Sequence, residues 1–143
     1  MKVHLIGCGG IGMSGLAQIL LARGHTVSGS DSSDGPILKK MRALGAEIAL
    51  GPAAAHLDHP DLVVYSSAVA PHNPELIAAR NRGVPAISRG QMMARLVSGC
   101  RLAAVAGAHG KSTTTALTAQ LLLEAGMDPT VLLGAELESL KGN

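Results

Sequence analysis

The sequence predicts an α/β protein: a Rossmann-like parallel sheet with flanking helices, followed by the start of a P-loop ATPase domain. Three observations predict it. Short apolar runs alternate with helix-patterned segments, as parallel strands covered on both faces require. The run at 3–6 leads into Gly7-Cys8-Gly9-Gly10-Ile11-Gly12, a glycine turn that opens a helix. A second run, 102–106, leads into Gly107-Ala108-His109-Gly110-Lys111-Ser112-Thr113 and again into a helix pattern. A glycine turn between a buried strand and a helix is an anion site. Unpaired N–H groups and the positive end of the helix dipole converge there.

The elements follow in order. Residues 3–6 form a strand, and 11–23 a helix with Leu16, Ile19 and Leu20 on one side and Gly24 as its stop. A second strand runs over 26–30 and ends at Asp31. A helix starting at 34–36 stops at Gly45, and 47–50 is a third strand. Residues 62–65, Leu-Val-Val-Tyr, are the plainest strand in the chain. The stretch 74–82 reads as a helix with Pro in its first turn and Gly83 after its end. Residues 84–87 are a fifth strand, and Pro85 puts it at an edge. A short helix covers 91–97. The pattern then restarts with a strand at 102–106, a helix at 112–125 and a strand at 131–133.

The restart marks a boundary. We expect one domain over 1–99 and the beginning of a P-loop domain over 100–143. One helix between two strands cannot bury both faces of a sheet, so the second domain is expected to be truncated and to lack the C-terminal part of its own chain.

Composition excludes several classes. The chain of 143 residues is 47% hydrophobic and 15% charged, so it has the apolar content to fold. It has no Phe or Trp and a single Tyr, so the core is built from aliphatic side chains and Met. A net charge of +2 gives no case for nucleic acid or a membrane surface. No apolar run approaches the ~18 residues of a membrane span. The six His are not at metal-ligand spacing, and the two cysteines, Cys8 and Cys100, lie far apart. Together these point to a reduced, cytoplasmic protein.

The first loop has the spacing Gly7-x-Gly9-x-x-Gly12, and Asp31 follows Gly12 by 19 residues at the end of the next strand. That context suits a diphosphate and does not say which one: NAD or FAD, a UDP-sugar, or a turn with no ligand. Asp31 either bonds a ribose hydroxyl or caps the following turn. Cys8 is a small residue in a tight loop with no charged neighbour to activate it. The second loop departs from the full G-x-x-x-x-G-K-[ST] pattern, because the leading Gly falls on Val105. The shortened turn still offers backbone N–H groups to a β-phosphate, Lys111 to the β- and γ-phosphates, and Ser112 or Thr113 to Mg²⁺. His109 either touches phosphate or is solvated.

Gly9-Gly10-Ile11-Gly12-Met13-Ser14-Gly15, Ser28-Gly29-Ser30-Asp31, Tyr65-Ser66-Ser67-Ala68, Asn73-Pro74-Glu75, Ser88-Arg89 and the second loop occur in this order. Together they resemble the Mur ligases of peptidoglycan synthesis along essentially the whole chain. The resemblance implies that Gly9, Gly10, Ile11 and Gly12 hold the diphosphate of a UDP-sugar and not NAD. It places Asp31, Ser66 and Ser67 in the same crevice. Arg89 either joins them or is a solvated surface charge. It implies an ATP site at Gly107, Ala108, His109, Gly110, Lys111, Ser112 and Thr113, with Lys111 catalytic and Ser112 and Thr113 toward Mg²⁺. The family usually has Thr where this chain has Ala108, which removes one hydroxyl. The implied reaction phosphorylates the carboxylate of UDP-N-acetylmuramate with ATP, and L-alanine then displaces phosphate. His109 fits the alanine-adding and the tripeptide-recycling branches alike; the Tyr65 segment favours the former. By itself this stretch is expected to bind UDP-sugar without turnover. The rival readings are the recycling ligase, an NAD(P)-dependent oxidoreductase and a non-catalytic nucleotide-binding module.

Overall fold

The computed structural model describes residues 1–133. The first apolar run becomes the central strand β1 (Lys2–Ile6), paired in parallel on both sides, with β2 (Thr26–Asp31) and β4 (Leu62–Tyr65). β3 (Glu47–Leu50) pairs outside β2, and β5 (Ala86–Ser88) outside β4. The order is therefore β3-β2-β1-β4-β5, all parallel, and β5 is an edge, as Pro85 requires. Pro85 has no N–H to give, and β5 starts one residue beyond it; its carbonyl still accepts from the Val63 N–H at 2.9 Å.

Strand alternation sends Val3, Leu5, Val27, Leu62 and Val64 to one face, where they meet α1 (Ile11–Ala22), α2 (Pro36–Ala43) and α4 (Arg89–Val97) through Met13, Leu16, Leu20, Leu38, Met41, Met92 and Leu96. The other face carries Ile6 and Val63 against α3 (Pro74–Asn81) and a single 3-10 turn, Ala54–His56. Each fully buried aliphatic side chain contributes roughly 1.5–3 kcal/mol, which is how a core without Phe or Trp holds. This second face is part polar: His4, Ser28, Ser30 and Glu75 are buried there.

The described chain separates into two compact units, Met1–Ser98 and a second that begins at Gly99. In the second, α5 (Lys111–Glu124) follows Gly110, whose φ of 78° is left-handed. The strands expected at 102–106 and 131–133 do not form. A strand exists through its ladder partner, and no described residue pairs with either run. Residues 134–143 of the expected second domain lie outside the described residues. No helix among the described residues is long and apolar enough to cross a membrane.

Candidate functional site

In a parallel sheet the strand order reverses where crossovers leave in opposite directions, and ligands bind outside the carboxyl ends of the strands at that point. Here the reversal falls between β1 and β4. The loops that leave them, 7–10 and 66–73, flank a cleft of about 360 Å³. Ile6, Gly7 and Gly10 line it on one side, Ser66, Val69 and Asn73 on the other, and Ser30 and Asp31 at the end of β2.

The first loop is pinned to β2 by three successive donors. The N–H groups of Gly7 and Cys8 donate to the Ser30 carbonyl at 2.9 and 3.1 Å, and the Gly9 N–H donates to Asp31 Oδ2 at 2.7 Å. A Cβ on Gly9 would stand 2.8 Å from that oxygen, so glycine is what lets the carboxylate close on the loop. The helix α1 then begins at Gly10 with no side-chain cap and no acidic residue in its first turn. Its positive end is thus not neutralised by its own sequence. Arg89 reinforces it. The first residue of α4, it lays its guanidinium on Gly12, where an added Cβ would overlap Nη1 at 2.0 Å. The helix N-terminus borders the cleft at Gly10, and the guanidinium lies beside the helix's first turn at Gly12, outside the cleft lining; a helix N-terminus with a guanidinium beside it suits a phosphate-bearing ligand.

The predicted residues are brought together unequally. Gly10, Asp31 and Ser66 line the cleft; Gly9 holds Asp31, and Gly12 seats Arg89. Ile11 and Ser67 are exposed, and Ser67 is not part of the cleft lining, whereas Ala68 is. Ser30 and Asn73 line the cleft and were not singled out from sequence as binding residues. Ser30 lies one position before Asp31 on the strand, and alternation turns it to the opposite face, which hid it.

Burial pushes the Cys8 thiol up to about 12, with the Asp31 charge adding to it. Cys8 is therefore a neutral packing group and no nucleophile. Neither cysteine is in a disulfide.

The second loop lies in the second unit, and Gly107, Ala108, His109, Gly110, Lys111, Ser112 and Thr113 are all exposed. Lys111 Nζ donates to the carbonyls of Gly107 and Ala108 at 2.6 and 3.0 Å, so the ammonium is folded back on its own turn. No group of three His, Cys, Asp or Glu side chains among the described residues could hold a metal ion.

Comparison with known proteins places this geometry. The pattern of the Mur ligase family, catalytic domain, matches residues 2–101. A UDP-N-acetylmuramate–L-alanine ligase of Sulfurihydrogenibium sp. is 46% identical over 99% of this chain and 31% of its own length. Among solved structures, the UDP-N-acetylmuramate-alanine ligase of Thermotoga maritima matches with a TM-score of 0.93 and 36% identity, over 99% of this chain and 34% of that one. The UDP-N-acetylmuramate:L-alanyl-gamma-D-glutamyl-meso-diaminopimelate ligase of Neisseria meningitides follows at 0.90 and 34%, over 97% and 44%. The chain thus spans about a third of the length of the curated relatives it matches.

Proposed function

Because this chain belongs to the Mur ligase family, we propose that it is the sugar-nucleotide-binding part of an ATP-dependent ligase joining L-alanine to UDP-N-acetylmuramate. The observation that carries the proposal is the uncapped N-terminus of α1 with the Arg89 guanidinium on Gly12. In this reading the loop Gly9-Gly10-Ile11-Gly12 holds the diphosphate, which meets the N–H groups of Gly10, Ile11 and Gly12 and the charge of Arg89, while the Gly9 N–H stays on Asp31. Asp31 retains lone pairs for a ribose hydroxyl while its Oδ2 accepts from Gly9. Ser66 and Ser67 supply hydroxyls from the opposite rim.

ATP belongs at the second loop, with Lys111 against the β- and γ-phosphates once it leaves the carbonyls of Gly107 and Ala108. The exposed hydroxyls of Ser112 and Thr113 at the first turn of α5 are hard oxygen donors that fit Mg²⁺, which when bound neutralises phosphate charge. Transfer of the γ-phosphoryl group to the carboxylate gives an acyl phosphate. The L-alanine amine attacks it, and phosphate leaves with the bonding pair. The protein's task is positioning and charge stabilisation. Its nucleotide substrates go with a cytoplasmic location.

Likeness to the tripeptide-adding ligase keeps a second amine donor in play. Assays of the full-length protein with L-alanine and with L-alanyl-γ-D-glutamyl-meso-diaminopimelate separate the two. For the cleft itself, titration calorimetry of this chain with UDP-N-acetylmuramate, UDP and NADH is decisive. Binding of both uridine compounds and none of NADH is expected. NADH binding with no heat from UDP would overturn the reading.

A further inference from the structure

Among the described residues Glu75 is the one fully buried carboxylate. It stands in the first turn of α3, and its N–H donates to Asn73 Oδ1 at 2.8 Å. Ser30 Oγ donates to its Oε2 at 2.6 Å. His4 Nε2 lies 3.2 Å from its Oε1, and His4 Nδ1 meets Ser28 Oγ at 2.9 Å. His56 Nδ1 stands 3.4 Å from Oε1 but makes no hydrogen bond there.

Burial of an acid is a weak device for stability, because apolar side chains of the same volume usually do as well or better. What the acid touches is more informative. Ser30 is its strongest partner, and the carbonyl of Ser30 holds the N–H groups of Gly7 and Cys8. The next residue, Asp31, holds that of Gly9. On the other side Asn73, which lines the cleft, caps the helix that carries Glu75. One carboxylate therefore ties the strand under the first loop to the opposite rim.

We propose that Glu75 is the positioning residue of the cleft: together with His4 it fixes Ser30 and the start of α3, and so holds the glycine loop and the Asn73 rim at the spacing of a nucleoside diphosphate. The assignment of the ligand rests on the reading above; the coupling of Glu75 to the loop does not.

The test uses amide hydrogen exchange of this ligand-free chain, read residue by residue, in wild type, Glu75→Gln and Ser30→Ala. We expect the amides of Gly7, Cys8 and Gly9 to exchange about tenfold faster in each variant, with Val63 and Val64 in β4 unchanged. UDP affinity should fall by about the same factor in both variants. Unchanged loop exchange in a folded variant overturns the proposal. So does an equal rise in β4, which marks general loosening. If Glu75→Gln does not fold, Ser30→Ala decides, since it leaves the His4–Glu75 contact in place. If wild type binds no UDP, the ligand reading fails while the exchange data still decide the coupling.

Discussion

Gly12 and Arg89 form a pair whose chemistry can be separated from the fold. A methyl at Gly12 would collide with the guanidinium, which is the mobile end of a long side chain. The cost of Gly12→Ala should therefore fall on where that charge sits. We expect UDP affinity to drop about tenfold with the unfolding midpoint little changed, Arg89→Ala to drop it similarly, and the double variant to add little more. Calorimetry on the four proteins checks this, and full additivity would show that the two residues act independently. Cys8 gives a prediction of another kind. Its pKa is raised from 9.0 to about 12, so the folded state keeps the proton where the unfolded chain has lost it. That stability is complete below about pH 9 and is lost as pH climbs toward 12. Denaturant curves should show a steeper alkaline loss for wild type than for Cys8→Ala. A thiol reagent at neutral pH should label exposed Cys100 and spare Cys8. That Cys8 is no nucleophile was expected from the sequence for want of a charged neighbour; in the fold the cause is burial, and the Asp31 charge adds to it. The roles of Ser30 and Glu75 were not, because the acid meets Ser30 across 45 positions and His4 across 71. Only the folded sheet brings such partners together.

Elements whose signals are local were legible. Pro74 and Gly83 bracket α3, and the apolar runs of β1 and β4 need both faces covered, which the parallel sheet provides. The start of α4 was placed two residues late because its signal is a side chain reaching back. Ser88 accepts from the Gln91 N–H while the Gln91 side chain accepts from the Ser88 N–H, a complete capping box that begins the helix at Arg89. That cap therefore also sets where the Arg89 guanidinium starts from. Ser88→Ala should cost about 1 kcal/mol in urea unfolding at constant m, and weaken UDP binding by a smaller factor than Arg89→Ala. An unchanged urea midpoint would mean that the cap adds nothing to the helix. The runs at 102–106 and 131–133 read as strands for the same reason as β1. Apolar content is necessary for a strand, but the ladder partner decides, and a single stretch of sequence cannot display its partner.

At the scale of the molecule, every residue lining the cleft belongs to the unit Met1–Ser98, which has its own core on both faces of the sheet. The second loop lies in the other unit, with Lys111 bonded to its own turn and no strand before it. The two proposed nucleotide sites should therefore be separable by experiment. Arg101 is exposed and outside regular structure, so trypsin should cut after it readily while the sheet resists. The N-terminal product should bind UDP-N-acetylmuramate within about twofold of the uncut chain, because no group lining the cleft is lost with the cut. MgATP should bind the uncut chain far more weakly than the sugar nucleotide, since Lys111 must first break two hydrogen bonds to carbonyls. L-alanine should stimulate no phosphate release from it, because the chain spans 31% of the length of a relative named as a ligase. Loss of sugar-nucleotide binding on cleavage would place part of that site beyond Ser98. Phosphate release that rises with L-alanine would show that Lys111 and the hydroxyls of Ser112 and Thr113 suffice for phosphoryl transfer without the rest of a ligase.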